Sequence, residues 1–295
     1  MKTPKLSFEE LLLSVLETAP KLINNGPLYK LVDIMAKQTV HDLPFKENKS
    51  QPVSTGIIGD LIFPYQKLGA IDSLDLFGLD ELILFSFYWT NRNRYKKVAD
   101  LGANIGLHSI FLAKCGFDVT AYEPDPLHCE IFKKNLDLNG IENVILKERA
   151  ISDKSGNLEF IRVLGNTTSS HLTGAKDNPY GELNKINVKV DALKDVISDC
   201  DFVKMDIEGI ESQAICSLTS MDWGSLEMML EVGSEKSAYA IFEHCKEIGL
   251  NMFPQKKGWE LAQEISDIPI SYLEGSLFLT KESTINWKNN GESKD

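Results

Sequence analysis

The chain has 295 residues, 43% of them hydrophobic, with a formal net charge of −12 and a pI near 5.0. This acidity argues against a nucleic-acid partner, because such a surface normally needs clustered Lys and Arg. The five cysteines are scattered and never spaced as metal-binding pairs, and the N-terminal apolar run LLLSVL is too short to span a bilayer. Composition therefore predicts a cytoplasmic globular protein without a membrane partner, and it leaves the oligomeric state undetermined.

Three segments of the chain differ in pattern. Residues 1–55 carry apolar residues at helical spacing, interrupted by proline and glycine, and are predicted to form an N-terminal helical extension. Residues 56–282 alternate strands with helices, which predicts an α/β domain with a parallel sheet wrapped by helices. Residues 283–295 have the polar composition of a frayed tail.

The predicted elements of the α/β domain follow in chain order. A strand GIIGDLIFPY and an amphipathic helix LDELILFSFYW come first. They are followed by strand YKKVADLG, helix NIGLHSIFLAKCG, strand DVTAYE, helix DPLHCEIFKKNLDLNG and strand NVILKERA. NLEFIRV and KINVKV are β-type segments that flank a polar loop. DFVKMD and LEMMLEV are further core strands, and LNMFPQ and SYLEGSLFLT form a final antiparallel pair.

The turn after strand YKKVADLG has the features of a nucleoside-binding site. The strand ends at Asp100, the chain turns through Gly102 and Gly106, and a helix begins. Glycine lets the backbone turn tightly and approach a ligand closely, and the helix N-terminus offers free N–H groups. Glu123 ends the next strand, where an acid hydrogen-bonds a ribose diol in nucleotide-binding units. The pattern predicts a cofactor that contains a nucleoside.

The spacing of the two glycines favours one cofactor over another. Dinucleotide dehydrogenases use G-x-G-x-x-G, whereas here Gly102 and Gly106 enclose Asn104, with Asp100 in front. A pyrophosphate would meet Asp100 unfavourably, whereas an ammonium group would be attracted to it. S-adenosylmethionine carries an ammonium, a carboxylate, a sulfonium and a ribose, and it fits this mixed lining. An NAD-dependent oxidoreductase and a nucleoside-binding interaction module without catalysis are the alternatives.

Five stretches, VADLGANIG, AYEPDP, ERAISDKSG, DFVKMDIEGIE and LEVG, resemble in this order the FkbM family of S-adenosylmethionine-dependent methyltransferases over roughly residues 56–280. The resemblance implies a Rossmann-like, mostly parallel seven-stranded sheet with an antiparallel last strand. It also implies O-methylation, often of sugar hydroxyls in natural products or glycans. The residues implied to bind the cofactor are Asp100, Gly102, Asn104 and Gly106 at its methionine end, Glu123 at the ribose, and Ala150, Ile151 and Ser152 at the adenine edge.

The acids after strand DFVKMD are candidates for catalysis. In the implied fold this strand ends beside the reactive methyl group, so Asp206 and Glu208 would face it, and a carboxylate there could take the proton of an attacking alcohol. Glu211 is assigned a structural role at the start of helix GIESQAICSL. Glu231 ends the next strand and could contact substrate or join a divalent metal site, although no spacing demands a metal.

The loop of residues 165–182 is rich in hydroxyl and amide side chains that could bind a sugar, among them Ser169; an unstructured surface loop is the alternative. His171 in this loop is the second candidate for the general base. The motif DNPY in the same loop resembles the N-P-P-Y signature of enzymes that methylate amino groups, but it precedes the core strand and is explained by turn chemistry. The sequence therefore predicts transfer of a methyl group to a hydroxyl of a small-molecule or glycan acceptor.

Overall fold

The N-terminal part of the chain packs into the same hydrophobic core as the α/β domain. The computed structural model describes residues 6–47, 51–69, 71–175 and 182–287. The elements of the N-terminal part are α1 (Phe8–Thr18), α2 (Pro27–His41), β1 (Val53–Ser54), β2 (Asp60–Leu61) and α3 (Leu79–Thr90). A capping box between Ser7 and Glu10 fixes the start of α1. Leu11 and Val15 of α1 are fully buried in one cluster with Phe85 of α3.

A seven-stranded sheet forms the centre of the protein. The strands that follow are β3 (Lys97–Leu101), β4 (Asp118–Tyr122), β5 (Val144–Lys147), β6 (Ala150–Ser152), β7 (Gly156–Val163), β8 (His171–Leu172), β9 (Leu183–Ala192), β10 (Phe202–Met205), β11 (Glu227–Leu230), β12 (Asn251–Pro254) and β13 (Leu277–Thr280). The central sheet has the order β12-β13-β11-β10-β3-β4-β5, and only β13 runs antiparallel to its neighbours. The expectation of a mostly parallel, seven-stranded α/β sheet is confirmed.

Helices cover both faces of this sheet. They are α4 (Leu107–Lys114), α5 (Pro126–Leu138), α6 (Leu193–Ile197), α7 (Glu211–Ile215), α8 (Ser220–Trp223) and α9 (Glu235–Ile248). Because both faces are covered, Phe202, Val203 and Met205 of β10 are completely buried, as expected for a parallel strand between helices. From β3 the chain moves to β4 and β5 on one side and later to β10 on the other. The carboxyl ends of β3 and β10 therefore form the switch point at which such sheets bind ligands.

A second sheet of four strands is inserted between β5 and β10. Its order is β6-β9-β7-β8, and β7 pairs with β9 antiparallel from Gly156↔Val190 to Val163↔Leu183. The side chain of Arg162 on β7 donates from Nε to Asp125 Oδ2 at 2.8 Å. Asp125 is fully buried and caps α5 by accepting from the N–H of Leu127. This ion pair joins the inserted sheet to the start of α5, the helix that follows β4.

Three predicted elements differ from the structure. The strand GIIGDLIFPY is wrong over most of its length, because Gly56–Ile58 forms a 3₁₀ helix and only Asp60–Leu61 is paired. Helix α3 is not amphipathic, since nine of its 12 residues are buried. NVILKERA is divided between β5 and β6, which belong to different sheets. The DNPY motif lies outside the described residues. No helix in the described ranges is long and apolar enough to cross a membrane.

Candidate functional site

The turn after β3 is pressed against the turn after β10. Gly102 has φ +78°, and a Cβ atom at this position would lie 1.6 Å from the carbonyl oxygen of Asp206. Only glycine satisfies both the left-handed backbone and this close approach. Asn104 also has a left-handed backbone, with φ +52°, which asparagine tolerates better than most residues. Local backbone geometry thus explains the G-x-N-x-G pattern of this turn.

A cleft of about 570 Å³, called the first cleft here, opens at the switch point. Its walls are the turn after β3, the end of β4, the start of β6, the inserted sheet and the turn after β10. Seven residues that the sequence assigned to cofactor binding or catalysis line it together: Gly102, Asn104, Glu123, Ala150, Ile151, Asp206 and Glu208. Tyr122, His128, Arg149 and Phe160 also line it, although sequence reasoning did not select them.

Glu123 is held rigidly at the end of β4. Its Oε2 accepts from the backbone N–H of Asn104 at 2.9 Å, and its Oε1 accepts from the N–H of Asp125 at 2.8 Å. The residue is only 6% exposed, yet it lines the first cleft. A carboxylate has about four acceptor positions, so roughly two remain for hydroxyl groups of a ligand. The geometry suits recognition of a ribose diol.

Three of the residues expected to bind a cofactor are not on the lining of the first cleft: Asp100, Gly106 and Ser152. Asp100 is completely buried, and its Oδ2 accepts from Ser109 Oγ at 2.6 Å, which braces the turn against the first turn of α4. Ser152 is buried and donates to Asp153. Because these three residues do not line the first cleft, the structure does not support direct contact between them and a ligand bound there.

The turn after β10 is held by a buried carboxylate. Glu211 is 3% exposed, and its Oε1 accepts from the N–H groups of Ile207 at 3.0 Å and Gly209 at 3.1 Å. Within this turn Glu208 has φ +60°, a strained backbone for a residue other than glycine. Through these hydrogen bonds Glu211 stabilises the turn that presents Asp206 and Glu208, a role that the helix-dipole interpretation of the sequence did not include.

A buried lysine accompanies Asp206. The ammonium of Lys204 lies 3.7 Å from Asp206 Oδ2, 3.8 Å from Asp100 Oδ1 and 3.4 Å from the carbonyl oxygen of Gly102. Burial lowers the pKa of Lys204, but the attraction of Asp206, Asp100 and further carboxylates outweighs it, and the net pKa lies above the ordinary value. Lys204 is therefore charged. The sequence analysis did not select Lys204, although a lysine inside the apolar strand FVKM is a signal that could have identified it.

A second cleft, of about 430 Å³, lies on the other side of Asp206. Its lining includes Asp80, Glu81, Lys204, Asp206, Glu231 and Tyr272. Asp206 is the residue that lines both clefts. Burial, followed by the charges of Asp206 and Glu208, raises the pKa of Glu231 well above its ordinary value. The second cleft is thus acidic and adjoins the first one at the end of β10.

His171, the second candidate for the general base, does not line either cleft. His171 is 1% exposed on β8, with Nδ1 at 2.8 Å from the carbonyl oxygen of Ser169, and neither residue lines either cleft. A general base must contact the proton it removes, so the structure argues against His171 in that role. His108 Nδ1 lies 2.9 Å from the hydroxyl of Tyr88, and His108 Nε2 lies 2.9 Å from Glu81 Oε2. Over the described ranges, no group of three or more His, Cys, Asp or Glu residues is arranged to hold a metal.

The family model described as Methyltransferase FkbM domain matches residues 100–261, more than half of the chain. The chain belongs to the FkbM methyltransferase family. Membership supports a methyltransferase activity, and the matched range contains both turns that meet at the switch point. A comparison of this FkbM-family protein with curated proteins gives no match.

Solved structures with a similar fold include several methyltransferases. A SAM-dependent methyltransferase from Agrobacterium tumefaciens is 11% identical, with a TM-score of 0.41, over 79% of this chain and 70% of that chain. Ribosomal protein L11 methylase from Lactobacillus delbrueckii subsp. bulgaricus is 14% identical, with a TM-score of 0.36, over 66% of this chain and 75% of that chain.

Proposed function

We propose that this protein transfers a methyl group from S-adenosylmethionine to a hydroxyl group of a small-molecule or glycan acceptor, such as a sugar or a glycosylated metabolite. The observation that carries the proposal is the position of Asp206, which lines both the nucleoside-type first cleft and the acidic second cleft. One cleft would hold the cofactor and the other the acceptor, with a carboxylate at their junction.

The first cleft fits the cofactor on two independent points. Asn104 Oδ1 is buried without a hydrogen-bond partner among the described residues, and it lies in the turn where an ammonium group is expected. A buried acceptor of this kind is costly unless a ligand donates to it. At the other side Glu123 retains acceptor positions for ribose hydroxyls. When bound there, S-adenosylmethionine would supply an electrophilic methyl group on a sulfonium.

The carboxylates that line the second cleft suit an acceptor whose hydroxyl group loses a proton during the reaction. Methyl transfer to an alcohol requires that its proton leave as the oxygen attacks, and a positioned carboxylate can take that proton. Positioning the two reactants supplies much of the remaining acceleration. We assign Asp206 as the general base that takes this proton. Glu208 lies in the same strained turn. The charge of Lys204, 3.7 Å from Asp206, offsets part of the cost of gathering carboxylates here.

Glu231 is the competing candidate for the base. It lines the second cleft, and its pKa is raised well above the ordinary value by burial and by the neighbouring carboxylates. A general base works best when its pKa is close to the operating pH, which favours a carboxylate with a raised pKa. The two assignments make different predictions for the variants Asp206→Asn and Glu231→Gln.

The proposal is tested by transfer of an isotopically labelled methyl group. The protein is incubated with labelled S-adenosylmethionine and a panel of sugars, amino sugars and glycosylated metabolites, and mass spectrometry detects a methyl gain. A labelled ether supports the proposal, whereas label on a nitrogen or carbon atom of the acceptor contradicts O-methylation. With an acceptor identified, Asp206→Asn should lower the single-turnover rate at saturating cofactor by roughly 10²–10⁴.

A matched control separates chemistry from general damage. Asp199 is 79% exposed, pairs with Lys97 at the start of β3, and does not line either cleft. Asp199→Asn should leave the rate unchanged. If Glu231→Gln is inactive while Asp206→Asn turns over normally, Glu231 is the base and Asp206 has a positioning role.

A further inference from the structure

His128 is a buried side chain that faces the first cleft with one nitrogen unsatisfied. It lies in the first turn of α5 and is 3% exposed, yet it belongs to the lining of the first cleft. Its Nε2 is buried and has no hydrogen-bond partner within the part of the chain that the structure describes. A buried polar atom without a partner is costly, so a native structure that contains one normally has a ligand or water for it.

The other side of the ring faces Glu123. Nδ1 lies 3.7 Å from Glu123 Oε1, the same oxygen that accepts from the N–H of Asp125. An imidazole with its Nδ1 proton directed at this carboxylate has Nε2 directed away from it. The charged ring donates a hydrogen bond at Nε2, whereas the neutral ring in this tautomer can only accept there. Glu123 and the charged ring of His128 therefore offer an acceptor and a donor to different atoms of a ligand.

We propose that His128 binds the cofactor: its Nε2–H donates a hydrogen bond to an acceptor atom of the nucleoside part of the cofactor, while Glu123 lies on the Nδ1 side of the ring. The proposal rests on the assignment of the first cleft to S-adenosylmethionine. A buried Nε2 that gains such a partner no longer carries the cost of an unsatisfied polar atom.

The protonation state of His128 depends on the charges packed around it. These are Glu123 at the end of β4, Asp125 at the cap of α5 and Arg162 on β7, which is paired with Asp125. Burial lowers the pKa of His128, but Glu123 and then Asp125 raise it by more, despite opposition from Arg162, and the net pKa lies above 6.5. The donor is present below this raised pKa and is lost as the pH increases through it. Cofactor affinity should therefore decrease toward alkaline pH.

The test is calorimetric titration with S-adenosylhomocysteine, which needs no acceptor. Against the unaltered protein, His128→Leu should bind about 10- to 100-fold more weakly, as expected for loss of a charge-assisted hydrogen bond. His128→Gln keeps a neutral donor, so its affinity should fall by less and lose the pH dependence between about pH 5 and 8. His41→Leu removes an exposed histidine of α2 and should change neither quantity.

A second measurement does not depend on the folding of a variant. The imidazole of His128 is titrated by nuclear magnetic resonance in the unaltered protein, with and without S-adenosylhomocysteine, and the bound ligand should raise its pKa. Equal affinity of His128→Leu and the unaltered protein, or an unchanged pKa on binding, overturns the role of His128 and leaves the proposed function standing. Failure of the unaltered protein to bind S-adenosylhomocysteine at all overturns both.

Discussion

Replacement of Gly102 by alanine tests the contact between the two turns of the site. A Cβ atom at Gly102 would lie 1.6 Å from the carbonyl oxygen of Asp206, and φ there is +78°. The left-handed backbone costs alanine about 1–2 kcal/mol. Overpacking of a dense interior adds about 1–3 kcal/mol, because backbone atoms must move apart. The free energy of unfolding should therefore fall by roughly 2–5 kcal/mol.

Gly116→Ala is the matched control for this substitution. Gly116 follows α4 with φ +92°, and no atom lies within 4 Å of its added Cβ. This variant should lose only the backbone contribution, about 1–2 kcal/mol. Urea unfolding followed by circular dichroism gives both free energies, and calorimetry with S-adenosylhomocysteine gives the affinities. Gly102→Ala should bind far more weakly, while Gly116→Ala should bind as the unaltered protein does.

The comparison can refute the reasoning directly. If the two variants lose the same stability and bind S-adenosylhomocysteine equally well, the close approach of Gly102 to Asp206 does not determine the geometry of the site. A displacement of Asp206 by about 1 Å should also lower the single-turnover rate by roughly 10². Stability loss at Gly102 with an unchanged rate would show that the turn supports the fold and not the chemistry.

Three further predictions concern the carboxylates that hold the site together. Glu123→Ala should weaken S-adenosylhomocysteine binding by about 1.5–3 kcal/mol, and it should also lower stability, because two backbone N–H groups lose their acceptor; calorimetry and urea unfolding measure the two effects. Glu211→Ala removes both acceptor oxygens that hold Gly209 and should lower the single-turnover rate by releasing the turn, and an unchanged rate would contradict this. Arg162→Met leaves Asp125 buried without its charge partner and should cost about 3–5 kcal/mol of stability, most of which Asp125→Asn in the same chain should restore.

The parts of the site that the sequence predicts are those encoded in short stretches. Gly102, Asn104 and Glu123 follow from a strand, a glycine turn and a strand-end acid, because the backbone requirement there is local. The parallel sheet is predictable for the same reason, since each buried strand such as Phe202–Met205 carries its own apolar pattern.

Features that depend on distant packing were not predictable. The second cleft combines Glu81 of α3 with Glu231 after β11, and no local pattern joins these elements. Nothing in the local sequence distinguishes His128 from other helix residues, because its proximity to Glu123 arises only when α5 packs in the fold. The sequence places His171 in a polar loop, but pairing of β8 with β7 buries it away from both clefts. GIIGDLIFPY has strand propensity, yet a 3₁₀ turn at Gly56–Ile58 interrupts it.

The central claim is that the first cleft binds S-adenosylmethionine, and calorimetry of the unaltered protein with two ligands tests it most directly. S-adenosylhomocysteine and NAD are titrated separately into the same preparation. Binding of one S-adenosylhomocysteine per chain, with no binding of NAD at the same concentration, is the predicted result. Binding of NAD without binding of S-adenosylhomocysteine would contradict the account and would favour a dinucleotide site at the glycine turn.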